Sequence, residues 1–439
     1  MKKPFTLKSI KSKSLNGIIY VPSDKSISIR ALIISSICLG NSKIFNLLES
    51  EDVKHTMKSL EDLGIKILKK ENFYEVYGNG GFFEKPYNNL YLGNSGTGIR
   101  LLTGLLASRG IEITLTGDES LSSRPMNRII EPLELMNLTI ESNKGCLPLK
   151  IKKINKKIPI PINYNLKIGS AQVKSAILFA STNIKGTSTI IENFPSRDHT
   201  EIMLKFFGAD IIKKKNKIAI SSPNFLKPKV LTIPGDFSSA AFLIVATLIT
   251  KNSKLTIKDV GLNFYRIGLL EILKKMKAKI SITNKKKING EFIGDINVSS
   301  SKLISASVNK KIIPRLIDEL PILFVAASFA KGKSKFSGLE ELKFKESDRL
   351  SSMAIALKNS GVNLEQKKNS LTIVGSNIQS GGNIVQTFKD HRIAMSMLVF
   401  GLASEKGIVI DDESMIKTSF PKFKEILNLV GAKIEFISK

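Results

Sequence analysis

Two short stretches concentrate the groups that could do chemistry: Lys345-Glu346-Ser347-Asp348-Arg349 and Asp390-His391-Arg392. A carboxyl set among ammonium and guanidinium groups can act as acid or base beside clamps for an anion. The same residues could equally form a capping box or an ion-pair network. A third acidic group, Asp318-Glu319, stands at the mouth of the very apolar run LPILFVAASFA. Charges there must be paired or functional, although carboxylates also cap helices well.

Further upstream, polar turn-forming motifs precede apolar runs, where exposed amides and the positive helix end favour anions. Ser23-Asp24-Lys25-Ser26-Ile27-Ser28-Ile29-Arg30 puts Ser26 and Arg30 one helical turn apart, so a hydroxyl, a fork-shaped guanidinium and Lys25 could converge on a phosphate or carboxylate. In Gly93-Asn94-Ser95-Gly96-Thr97-Gly98-Ile99-Arg100 the glycines admit an oxyanion close to the backbone, and Thr97 is placed to cap. No Lys-Ser/Thr follows at the spacing of a nucleotide-binding P-loop. Ser122-Ser123-Arg124-Pro125, Gly169-Ser170-Ala171-Gln172-Val173-Lys174 and Ser196-Arg197-Asp198-His199-Thr200 repeat the theme, each explicable alone as capping or a salt bridge.

The elements that must position these motifs repeat along the chain. Six amphipathic segments each end at a break, followed by an apolar strand-like run. The breaks are Gly64, Asn137, Gly208, Lys277, Gly361 and Gly431, spaced 69 to 84 residues apart. Gly ends a helix cheaply in the left-handed conformation and Asn can follow it, whereas Lys277 is poorly suited. A second helix without a polar face, such as SSAAFLIVATLIT or HRIAMSMLVFGLAS, precedes each amphipathic one and must be buried. Six such units make two domains of three. Pro and small turn residues at VPSDKS and IPGDFSS mark the crossings, so one domain is expected over 24–236 and the other over 1–23 plus 237–439.

Composition limits the alternatives. The 439 residues exceed one ordinary core, and no stretch approaches a membrane span. The basic N-terminus lacks the apolar region of a signal peptide, and two cysteines give neither a disulfide framework nor a zinc spacing. A cytoplasmic, monomeric protein is expected. The net charge of +29 suggests nucleic acid, but ten of the 67 basic residues are Arg, and Trp is absent. Nucleic-acid surfaces use Arg and stacking aromatics, so the lysines read as solvated surface.

In this order SDKSISIR, GNSGTGIR, SSRPMNR, GSAQVKSA, SRDHTE, PGDFSSAAF, LIDELP, KESDR, DHRIAM and TSFP resemble the EPSP synthase family over about residues 12–430. The resemblance implies two inside-out α/β domains, each of three βαβαββ repeats, with the active site in the cleft between them. It implies carboxyvinyl transfer from phosphoenolpyruvate to the 5-hydroxyl of shikimate 3-phosphate, with no metal, cofactor, nucleic acid or membrane. By motif, Lys25 lies between the substrates, and Ser26 and Arg30 hold the shikimate carboxylate. Asn94, Gly96 and Arg124 take the phosphoenolpyruvate phosphate, with Thr97 beside them. Ser170, Ala171, Gln172, Ser196 and Arg197 take the shikimate 3-phosphate, and Gln172 also touches phosphoenolpyruvate. Asp318 is the base, Glu346 the proton donor and Lys345 a shikimate-side contact, while Arg349 and Arg392 clamp the phosphoenolpyruvate carboxylate.

Ser23, Ile29 and Glu341 depart from residues common in the family, and near the C-terminus Lys417 and Thr418 leave a further family lysine unassigned. A UDP-N-acetylglucosamine carboxyvinyltransferase would open with Lys-Asn rather than Lys25-Ser26 and carry a loop cysteine. An inactive nucleic-acid-binding relative would not need intact KESDR and DHR.

Overall fold

A computed structural model describes residues 6–154, 157–223 and 225–437. The architecture is α/β, and the described residues form six four-stranded sheets and two sets of helices. The apolar helices are Lys25–Ser36, Gly96–Ala107, Ala171–Ser181, Phe237–Ile249, Leu320–Ser328 and His391–Ala403. They are buried almost around their whole circumference, which helices without a polar face require. The amphipathic helices and the sheets lie outside them, and strands such as Cys146–Ile151 and Gly332–Ser337 alternate inward and outward residues. Helices therefore form the core and sheets the wall.

The six breaks share one geometry. Gly64, Asn137, Gly208, Lys277, Gly361 and Gly431 all have positive φ, between 63° and 104°. In each case the amide one residue further on donates to the carbonyl five residues back, as in Ile65 to Leu60 at 3.0 Å and Ala278 to Leu273 at 2.9 Å. This is the 6→1 bond of the Schellman motif, and all six acceptors are leucines. Lys277, poorly suited by its side chain, nonetheless adopts φ 64° because the repeat imposes the turn. A left-handed side-chain-bearing residue costs roughly 1–2 kcal/mol. Lys277→Gly is therefore expected to stabilise its unit by about 1 kcal/mol, or about 2–4 °C in Tm by calorimetry. An unchanged or lower Tm would show the backbone to be relaxed there.

The chain folds as two compact units. One comprises Ser23–Ile233 with Lys287–Glu291; the other comprises Met1–Pro22, Pro234–Lys286 and Phe292–Lys439. Pro234 to Asp236, expected with the former, fall with the latter because Gly235 and Asp236 donate to the carbonyls of Asp259 and Pro22. The hairpin tip at 287–291 joins the 23–233 unit, where Glu291 Oε1 lies 2.5 Å from His199 Nδ1 and Asn289 bonds Thr232 O.

Strand pairing follows the same exchange. Val230–Thr232, at the end of its unit, pairs in parallel with Leu39–Phe45. Asn16–Tyr20 pairs in parallel with Lys254–Gly261 in the other unit. Thr6–Ile10 pairs antiparallel with both Ile408–Ile410 and Lys433–Ile437, completing the sixth sheet.

Candidate active site

In the 23–233 unit, three apolar helices present their N-termini. Asp24 caps the Lys25 helix by accepting from the Ile27 amide at 2.9 Å. Lys25 follows at once, and its Nζ meets Asp52 Oδ2 at 2.7 Å. Ser26 gives its carbonyl to Arg30 Nη1 at 3.0 Å. The Arg30 guanidinium is buried and also donates to Thr200 Oγ1 at 2.7 Å and Ser175 Oγ at 3.1 Å.

The cap of the Gly96 helix is Ser95, which accepts from the Gly98 amide at 3.2 Å, and not Thr97. Thr97 instead receives Gln172 Nε2 at 3.4 Å. These two helices cross closely: a Cβ at Gly104 would stand 2.2 Å from Ala176 O, so the absent side chain permits the approach. Asn94 donates to Asp118 Oδ2 at 2.8 Å and accepts from Arg124. Arg124 also lies 3.3 Å from Ser120 Oγ. Asn94, Gly96, Thr97, Arg124 and Gln172 thus come together.

Ser170 caps the Ala171 helix by accepting from the Val173 amide at 3.4 Å, which leaves its own O–H to donate. The first-turn amides at Ala171 and Gln172 lack intrahelical acceptors and suit an oxyanion. Ser196 differs. Both its amide and its hydroxyl donate to Glu192 Oε1, at 3.2 and 2.5 Å.

The other unit assembles Asp318, Lys345, Glu346, Arg349 and Arg392. Asp318 Oδ1 lies 3.3 Å from Lys345 Nζ and 3.5 Å from Arg349 Nη1. Arg349 also pairs with Glu346 and, through Nε at 2.8 Å, with fully buried Asp390. Burial opposes the Arg349 charge, but Asp390, Glu346 and Asp318 overcome it and hold the guanidinium protonated above its ordinary range. Asp390 has a second task as N-cap of the His391 helix, accepting from the Arg392 amide at 2.9 Å. One carboxylate therefore holds the Arg349 guanidinium and the backbone at Arg392. Arg392 Nη1 donates to Asp318 O at 2.7 Å. Burial pushes the neighbouring Glu319 carboxyl up despite Arg266 and Arg392. His391, set between charged neighbours in sequence, is buried at the first position of its helix.

Asp52, Asp118 and Asp390 are the partners that sequence reasoning left unassigned. Asp390 was visible in its motif, whereas no spacing signal links Asp52 to Lys25 or Asp118 to Asn94. Of the departures, Ser23 has no positive φ, so glycine is not demanded there, and Ile29 is a fully buried core residue. Thr418 is buried and donates to Met415 O at 2.7 Å. Among the described residues no group of three His, Cys, Asp or Glu is placed to hold a metal, and no helix is long and apolar enough to cross a membrane.

Comparisons with known proteins agree in one direction. The family described as EPSP synthase (3-phosphoshikimate 1-carboxyvinyltransferase) matches residues 10–427. The 3-phosphoshikimate 1-carboxyvinyltransferase of Bartonella quintana is 45% identical over 446 residues, covering 99% of this chain and 100% of its own. That of Zymomonas mobilis is 45% identical, covering 98% and 97%. A solved EPSP synthase from Acinetobacter baumannii superposes with a TM-score of 0.87 at 36% identity, over 99% of this chain and 100% of that one. The enolpyruvyl transferase NikO from Streptomyces tendae, at 15% identity and a TM-score of 0.79 over the whole of both chains, shares the fold.

Proposed function

The chain belongs to the EPSP synthase family, and from that membership we propose that it transfers the carboxyvinyl group of phosphoenolpyruvate to the 5-hydroxyl of shikimate 3-phosphate and releases phosphate. The observation that carries the reading is the cluster of Asp318, Lys345, Glu346, Arg349 and Arg392, in which two candidate proton carriers share Arg349 and the Asp318 carbonyl holds Arg392.

Arg349 and Arg392 receive the carboxylate of phosphoenolpyruvate, while Asn94, Arg124 and the amide at Gly96 receive its phosphate. Shikimate 3-phosphate takes the amides at Ala171 and Gln172, the Ser170 hydroxyl and Arg197 through its phosphate. Its ring carboxylate goes to Ser26 and Arg30, with Lys345 on the shikimate side. An incoming carboxylate competes with Glu346 for Arg349; released beside a new anion, Glu346 takes up a proton more readily. Glu346 then protonates the methylene carbon and C2 gains cationic character. The 5-hydroxyl adds to C2 as its proton passes to Asp318 or Lys25, giving a tetrahedral intermediate. Loss of a methyl proton back to the enzyme expels phosphate and restores the vinyl group. The reading also makes the protein a cytoplasmic monomer acting on small molecules alone, supported by its two unpaired cysteines and Lys-dominated charge.

Phosphate release is expected with both substrates together and not with either alone. Release from phosphoenolpyruvate without shikimate 3-phosphate, or only with UDP-N-acetylglucosamine, would overturn the assignment.

Gly96 bears on inhibition by glyphosate, which the family relationship introduces as a competitor of phosphoenolpyruvate. A Cβ here would stand 2.9 Å from Arg124 Nη1 and 3.0 Å from Arg100 Nη1, both movable ends, and φ is not positive. Overpacking costs roughly 1–3 kcal/mol, so Gly96→Ala should weaken glyphosate by about tenfold or more and phosphoenolpyruvate by less. Inhibition measured against varied phosphoenolpyruvate tests this; equal losses for the two ligands would refute it.

A further inference from the structure

Lys174 has no part in the chemistry above, yet it is fully buried three residues into the Ala171 helix. Its Nζ lies 2.9 Å from Glu192 Oε2, 2.7 Å from Glu201 Oε1 and 3.4 Å from Ser196 O. Glu192 ends the Gly186–Glu192 strand, and Glu201 lies in the first turn of the His199–Phe206 helix. Both carboxylates are buried. One ammonium therefore ties together a helix start, a strand end and a second helix start.

We propose that Lys174, with Glu192 and Glu201, is a positioning device for the shikimate 3-phosphate half of the site, setting the 196–201 turn against the Ala171 helix. The inference rests on the function proposed above. Two independent links lead from the triad to that substrate. First, the oxygen of Glu192 that does not face Lys174 accepts both donors of Ser196, so the carboxylate fixes the turn that carries Arg197. Second, Lys174 and Glu201 are chain neighbours of Ser175 and Thr200, whose hydroxyls lie 2.6 Å apart and both accept from Arg30. The ion pair thus holds in register the two hydroxyls that aim the guanidinium proposed for the ring carboxylate. A phosphate contact and a carboxylate contact, at opposite ends of one ligand, depend on the same buried cation.

The charge count is consistent with a fixed scaffold. Burial raises the pKa of the Glu201 carboxyl against the pull of Lys174, while the ammonium stays in contact with both carboxylates. Both Ser196 donors meet Glu192, which ties to the triad the turn that also carries Arg197.

The experiment uses Glu192→Gln, which keeps side-chain shape and an acceptor but removes the charge facing Lys174, and Lys174→Met, each alone and combined with Arg197→Ala. Wild-type turnover of both substrates is measured first; its absence would defeat the functional reading rather than this one. With turnover present, each single variant is expected to raise KM for shikimate 3-phosphate by tenfold or more while KM for phosphoenolpyruvate stays within threefold. Combined with Arg197→Ala, the loss should fall well short of the product of the separate losses, since both act on one contact. An unchanged KM for shikimate 3-phosphate, an equal rise for both substrates, or fully multiplicative losses would overturn the proposal. Circular dichroism and a cooperative melt confirm folding; if Lys174→Met does not fold, the near-isosteric Glu192→Gln decides alone.

Discussion

Glu346→Gln is expected to lower kcat on the order of 100-fold or more while the affinity for both substrates changes far less, because positioned proton transfer typically contributes that much. The competing role is visible in the structure: Glu346 is a counter-ion of Arg349. A counter-ion alone would show its loss in stability and in KM for phosphoenolpyruvate, with kcat nearly intact. Hydrogen exchange separates the two further. In deuterated water, protonation at the methylene carbon and its reversal wash deuterium into that group, and Glu346→Gln should suppress the wash-in together with turnover. Asp318→Asn should also depress kcat, by removing the acceptor for the 5-hydroxyl proton. Near-normal turnover in either variant, alongside a lowered melting temperature, would reassign that residue to structure.

Arg349→Met should be the most damaging single change to stability among the proposed site residues. Arg349 is buried against Asp390, Glu346 and Asp318, and Asp390 is wholly inaccessible. Removing one partner of a buried ion pair strands the other, at a cost of about 3–5 kcal/mol. For a unit of this size that corresponds to roughly 6–20 °C in melting temperature. Binding of phosphoenolpyruvate should fall as well. Arg392→Met provides the contrast: its guanidinium donates to Asp318 O and lies 3.9 Å from Glu319, so less is stranded. It should weaken phosphoenolpyruvate strongly with a much smaller drop in melting temperature. Equal melting shifts for the two variants would show that the three-carboxylate cage does not stabilise the fold as argued.

Local determinants were legible in the residues themselves. Each helix break needs only a residue able to turn left-handed and an apolar follower, so the six repeats stood out along the chain. Lys277 shows that the repeat overrides local preference, since its backbone turns with the rest. Helices without polar faces announced their burial, and hydroxyl or carboxylate residues before them announced N-termini suited to anions. The site motifs are likewise local runs, so most candidate groups could be named from them. Ser95 was missed as a cap because Thr97 offers the same hydroxyl two residues later, and only the entry angle of the chain decides between them.

Tertiary structure decided how those groups are paired. Lys25 meets Asp52 across 27 positions, Arg349 meets Asp390 across 41, and Arg30 meets Thr200 across 170. Hydrogen bonds and ion pairs act over about 3 Å, and nothing in a one-dimensional order encodes which distant side chain will come that close. The direction of Ser196 is the clearest case. Its motif presents a hydroxyl beside Arg197, but packing at the end of the Gly186 strand places Glu192 where it takes both donors. Strand exchange is similar: Val230–Thr232 and Asn16–Tyr20 each complete a sheet begun far away in the chain, a choice made by which sheet edge remained open. Residue type determined what each group could do, and packing determined which partner it does it with.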